Sequence, residues 1–184
     1  MTAPPAFVPL PRPAAQRRPA ETPAERAARV QSQTAAILAF LSSIGIPVQA
    51  RTLPDDTFLP GMALIDGVLC YDPGRAYEPG DLLHEAGHLA VAAPETRAAG
   101  PVQGDGGEEM AAIAWSYAAA KHIGLPVEWL FHADGYLGGA QALIDNFEAG
   151  RTIGVPLLHC YDMTHQTTAP DGTPGYPHMV RWVR

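Results

Sequence analysis

The chain has 184 residues, 47% apolar and 17% charged, with two cysteines and a formal net charge of -7. That length supports one domain with its own hydrophobic core, and two cysteines exclude a disulfide-built secreted scaffold. Residues 1–30 carry five arginines against two glutamates while the remainder has a net charge of -10, so no nucleic-acid partner is expected of a body without a basic footprint.

No positively charged segment followed by a long apolar run opens the chain, and no stretch reaches membrane-spanning length uninterrupted. A cytoplasmic protein with no membrane contact is the expectation. Residues 1–22, rich in proline, alanine and arginine, read as a disordered arm, with Arg12, Arg17 and Arg18 as solvated charges. Residues 23–184 read as a single domain without internal repeats.

Thr22, Pro23 and Glu25 form a helix start: a hydroxyl cap, proline at the first position and glutamate at the third. The helix should run to Ser43, with Val30, Thr34, Ile37, Leu38 and Leu41 as its buried stripe and Gly45 and Pro47 as its stop. A short strand is expected from Val48 to Leu53. Asp66-Gly67 between two apolar runs, Met62 to Ile65 and Val68 to Tyr71, signals a hairpin. Together these predict a small antiparallel sheet.

A helix capped by Asp81 should carry Leu82 to Ala93, and Pro94 should end it. Residues 94–107 read as a loop. A second helix is expected from Glu108 to His122, a short helix or turn near Pro126 to His132, and a further helix from Ala140 to Ala149. The segment from Ile153 to Tyr161 fits strand or helix, and Met179 to Val183 fits an extended piece or a docked tail.

Within the helix after Asp81 stands His84-Glu85-Ala86-Gly87-His88, an H-E-x-x-H element. Residues four apart on a helix lie one above the other, so both imidazoles can face one metal ion while Glu85 reaches a water beside it. The surrounding Leu82, Leu83, Ala86, Leu89, Ala90 and Val91 mark a buried helix, where polar side chains need partners that a metal would supply. A catalytic zinc site wants a third protein ligand. Val91 and Pro94 stand where a metzincin would carry glycine and histidine, which excludes that class. Glu108 and Glu109, at the start of the next helix, are the candidates. Glu109 shares a face with Ile113, Ser116 and Tyr117, and Glu108 with Ala112, Trp115 and Ala119; Glu108 is placed slightly ahead.

H-E-x-x-H with a glutamate on the next helix resembles the gluzincin metallopeptidases, and the separation of His88 and Glu108 matches that in thermolysin-like enzymes. The order of hairpin, Leu-His-Glu-Ala-Gly-His-Leu helix and alanine-rich second helix is similar to the compact phage-repressor-cleaving and radiation-response metallopeptidases, over residues 60–120. Gly107-Glu108-Glu109-Met110-Ala111-Ala112 departs from the N-E-x-x-S-D context of the thermolysin-like third ligand. The resemblance implies an α+β, minimal zincin-like domain in which His84, His88 and Glu108 or Glu109 hold zinc and Glu85 is the general base.

On this basis the expected activity is zinc-dependent hydrolysis, with a peptide or protein as substrate. Tyr117, His159 and Tyr161 are the candidate oxyanion donors. The alternatives are a metal-binding regulatory protein without turnover and a hydrolase of small amides or esters. An open groove beside a strand edge would favour peptides, whereas a site roofed by residues 125–184 would favour the alternatives.

Overall fold

In the computed structural model, which describes residues 20–57, 59–99, 106–132, 135 and 139–184, the chain is mixed α+β. The expectations for residues 1–19 and 100–105 lie outside the described residues. The end of the expected arm is engaged with the fold: Glu21 pairs with Arg29 at 2.8 Å, and Thr22 caps the first helix. That helix, α1 (Pro23–Ser43), opens with a reciprocal cap. The Glu25 amide donates to the Thr22 hydroxyl at 3.3 Å and the Thr22 amide to the Glu25 carboxylate at 2.8 Å.

The sheet is small and mixed, correcting the antiparallel expectation. It comprises β1 (Val48–Ala50), β2 (Met62–Ile65) and β3 (Val68–Tyr71) in the order β1-β3-β2. Asp66 and Gly67 both have positive φ, 50° and 75°, as a two-residue hairpin turn requires, so β2 and β3 pair antiparallel. The connection from β1 to β2 carries the chain past β3, leaving β1 on its free edge in a parallel register.

Helix α2 (Pro79–Val91) begins before Asp81, with Glu78 as its cap residue. Proline is preset for the first helical turn, and a side chain at Gly80 would collide with the Trp129 carbonyl at 2.2 Å. The expected loop after α2 contains α3 (Pro94–Ala99), started by proline and Glu95. From it Arg97 donates to the carbonyls of Leu89 and Ala92 at 2.7 and 2.9 Å, satisfying the end of α2. There follow α4 (Gly106–Ile123), α5 (Val127–Leu130), α6 (Ala140–Glu148) and α7 (Val155–Cys160). The ambiguous segment at Ile153 to Tyr161 is thus mostly helix. The tail docks: the Trp115 indole donates to the Trp182 carbonyl at 2.8 Å, and the Trp182 ring stands edge-on to Phe40.

One buried cluster runs from Ile37 to Met179, with α2 and α4 at its centre. These two helices meet through small residues, Ala86, Gly87 and Ala90 on α2 and Ala112 on α4, all buried. A methyl group at Gly87 would stand 2.9 Å from the Ala112 carbonyl oxygen and 3.1 Å from the Ser116 hydroxyl. Cys70 is buried and Cys160 exposed, both as free thiols. No helix among the described residues is long and apolar enough to cross a membrane.

Gly87→Ala should push α4 away from α2, because its nearest obstacle is backbone rather than a flexible side chain. The expected loss is about 1–3 kcal/mol in urea denaturation, the usual penalty of overpacking a tight interface. Unchanged stability would mean that the helices have room to spare.

Candidate metal centre

Helix α2 carries His84, Glu85 and His88, and the four-residue spacing brings the two histidine Nε2 atoms to 3.2 Å. Helix α4 runs back across α2 and adds Glu109. One of its oxygens lies 3.5 Å from His84 Nε2 and the other 3.3 Å from His88 Nε2. Tetrahedral zinc with ligand bonds of about 2.0–2.1 Å separates its ligand atoms by about 3.3 Å. The His84–His88 separation of 3.2 Å matches an edge of such a tetrahedron, and the Glu109 carboxylate presents one oxygen to each imidazole, at 3.5 and 3.3 Å. The donor set of two imidazoles and one carboxylate therefore fits a divalent ion of zinc's size and preference.

Between the two expected ligands, the geometry brings in Glu109. Its row on α4 continues through Ala112 and Ser116, the residues packed on Gly87. Glu108 shares the row of Trp115, which faces the docked tail. Its charge still reaches His88, whose pKa it raises after Glu109. One Glu85 carboxylate oxygen lies within 4.8 Å of a ring nitrogen of each histidine, so Glu85 groups with the two imidazoles. That placement suits a group acting on a water beside the ion.

Burial sets the electrostatics. The His84 imidazole is held neutral, its pKa pushed down to about 3 by burial first and His88 second. Burial also lowers the His88 pKa, against the opposing charges of Glu109 and Glu108. Neutral imidazoles are the form that binds metal. The Glu85 carboxyl is raised to about 7, by burial first and then by the charges of Asp81 and Glu109. A general base for work near neutral pH is best poised there.

The cluster opens into a cavity of about 710 Å³. Ala142, Leu143 and Asn146 from α6 line it, as do Leu59, Met110 and Ile113. Residues 125–184 therefore do contribute a roof. Asp81, one turn before Glu85, also lines the cavity, and its carboxylate accepts a 2.7 Å hydrogen bond from the buried His132 Nε2. This explains why Asp81 is not the helix cap: its side chain is committed to α5's exit loop. Asn146 and this use of Asp81 were missed in the sequence. Asn146 sits a heptad below Gly139 on the roof helix, but nothing local marks which face of α6 meets α2.

None of the three expected oxyanion donors is among the described residues lining the cavity. The Tyr117 ring stacks on Phe147 at 4.4 Å, and burial, then the Glu148 charge, raises its phenol pKa. The His159 Nδ1 lies 3.1 Å from the Thr164 carbonyl at the exposed end of α7. The Tyr161 ring lies under the Arg184 guanidinium at 3.8 Å. A long apolar segment next to a histidine and tyrosine was a poor guide here, because α7 turns its Val155 and Leu158 inward and leaves His159 outside.

Glu109→Ala should weaken zinc affinity more than tenfold in a chelator competition, and Glu108→Ala should weaken it by much less. Equal losses would remove Glu109 as the ligand. Acid stability of the metal-free protein offers a second check. His84 titrates near 6.5 when unfolded and near 3 when folded. Its contribution is intact above pH 6.5 and is lost as the pH falls from 6.5 toward 3. Glu85 acts oppositely: its burial carries no penalty below about pH 4.5 and a growing one up to about 7. The two oppose each other between pH 4.5 and 6.5, so below pH 4.5 the His84 loss is no longer offset by Glu85. Denaturation midpoints should show a shallower fall in that window for His84→Ala than for wild type; parallel curves would contradict the buried neutral imidazole.

No protein-family model, no curated protein and no solved structure matches this chain.

Proposed function

We propose that this chain is a zinc-dependent hydrolase of amide bonds, with metallopeptidase-type chemistry on a minimal zincin-like scaffold. The placement of the Glu109 carboxylate against both imidazole Nε2 atoms, at 3.5 and 3.3 Å, is the observation that carries the proposal. His84, His88 and Glu109 would hold the ion. When bound, zinc polarises a carbonyl and makes water a stronger acid.

The remaining work falls to the chain's own groups. Glu85, facing the cavity, accepts the proton of the attacking water and returns it to the leaving nitrogen. In the metal-free protein burial, with the charges of Asp81 and Glu109, raises its pKa to about 7. Asp81 is fixed by His132 at 2.7 Å, so its charge acts on Glu85 from a constant position. Among the described lining residues, Asn146 is the neutral side chain able to donate a hydrogen bond to a developing oxyanion, replacing Tyr117, His159 and Tyr161 in that part.

Catalysis is favoured over mere metal storage by Glu85. A structural metal site gains nothing from a further carboxylate buried beside its ligands, and the raised pKa records the penalty of keeping it there. Elemental analysis of wild type and of the His84→Ala, His88→Ala double variant tests the site. One zinc per chain, lost in the double variant, is the expected result. Glu85→Gln should retain that zinc and lose about 10²–10⁴-fold in turnover. A folded wild-type protein that takes up no zinc would overturn the proposal.

A further inference from the structure

We infer that the substrate is a compact, uncharged acyl amide with an apolar side group, held between α2 and α6, rather than an extended peptide or a carboxylate-bearing one. This rests on the hydrolase proposed above and names its substrate class. Three features of the cavity carry it.

First, the enclosure is helical. The lining residues come from α2, α4 and α6, with Leu59, Gly135 and Gly139 from connecting segments. None of the described lining residues belongs to β1, β2 or β3. An extended peptide binds by adding a strand to a sheet edge beside the catalytic group. Among the described lining residues none belongs to a strand, Leu59 touching the sheet through its single bridge to Met62, and α6 supplies three of them.

Second, the size and surface suit a small apolar body. A volume of about 710 Å³ falls in the range of small-molecule sites. Leu143 on the roof and Met110 and Ile113 on α4 present hydrocarbon to whatever lies over Glu85.

Third, the charge is one-sided. Asp81, Glu85 and Glu109 face the cavity, and no lysine or arginine is among its described lining residues. With the ion bound, Glu109 and the other cavity carboxylates already offset its two positive charges, so a substrate carboxylate would add an unbalanced negative charge and would lose its hydration. A neutral amide avoids that penalty, and Asn146 offers it both a donor and an acceptor. Hydrolysis then needs water alone as co-reactant. Water oxygen bonds to the carbonyl carbon, the C–N bond breaks, and the proton taken by Glu85 passes to the departing nitrogen.

Calorimetric titration of zinc-loaded Glu85→Gln, which binds without turning over, tests this. The probes are N-acetyl-L-leucinamide, N-acetyl-L-leucine and a blocked octapeptide with leucine at its centre. The amide should bind at least tenfold more tightly than the acid, and the octapeptide no more tightly than the amide. Asn146→Ala, added to the same background, should weaken the amide about threefold to tenfold, the loss of one neutral hydrogen bond. Ala142→Trp, a change at an exposed roof position, should block it. Tighter binding of the octapeptide or equal binding of the acid, with zinc present by elemental analysis, would overturn the substrate class and leave the hydrolase standing. Absence of zinc from the folded protein would remove both.

Discussion

The close approach of α2 and α4 at Gly87 is the constraint on which the candidate centre depends. Packed helices usually stand 8–10 Å apart according to the side chains between them. Here the interface is glycine and alanine, and even one added methyl would meet the Ala112 carbonyl oxygen at 2.9 Å. Ser116, buried at the same level, donates to that carbonyl at 2.6 Å and lies 3.3 Å from the Leu83 carbonyl of α2. Two turns up α4 from Ser116, the short separation leaves Glu109 within 3.5 Å of both histidines. Bulkier residues would pack equally well as a core and would carry the carboxylate out of reach.

Burial then decides the charge states. Helix α2 is apolar enough to be enclosed, so its imidazoles are held neutral and its glutamate is drawn toward the protonated form. The His88 Nδ1 is buried without a hydrogen-bond partner. Taken alone, such a helix would gain stability from leucine at these positions. A divalent ion between the imidazoles and Glu109 would supply the missing positive charge, so the packing and the proposed chemistry point the same way.

Local signals explain what the sequence revealed. The Thr22–Glu25 cap, the Asp66-Gly67 turn and the His84–Glu85–His88 spacing each depend on neighbours within five residues, and each stands in the structure as read. What the sequence hid was set at long range. The parallel pairing of β1 depends on which edge of β3 the chain reaches after an irregular connection. The choice of Glu109 over Glu108 depends on how α4 is rotated, and Trp115 fixes that rotation by binding Trp182 at the far end of the chain. Tyr117 has the side chain of an oxyanion donor, yet α4's rotation turns it into an aromatic stack instead.

That stack also determines what kind of site this is. Phe147 of α6 packs on Tyr117 of α4, at 4.4 Å, and on Phe131, at 5.8 Å, nearly parallel to both, and Tyr117 and Phe131 are themselves 6.5 Å apart. Ile144, one turn earlier on α6, is buried with it, while Ala142, Leu143 and Asn146 of the same helix line the cavity. The roof is therefore fastened to the helix that carries Glu109. Separating roof from floor would expose three stacked rings, each of which contributes substantially to the core. Floor and roof thus take their positions from α4, one through Gly87 and the other through Phe147. The gap between them is a property of the core rather than of a hinge, and under the proposed activity the aromatic stack limits what the cavity could admit.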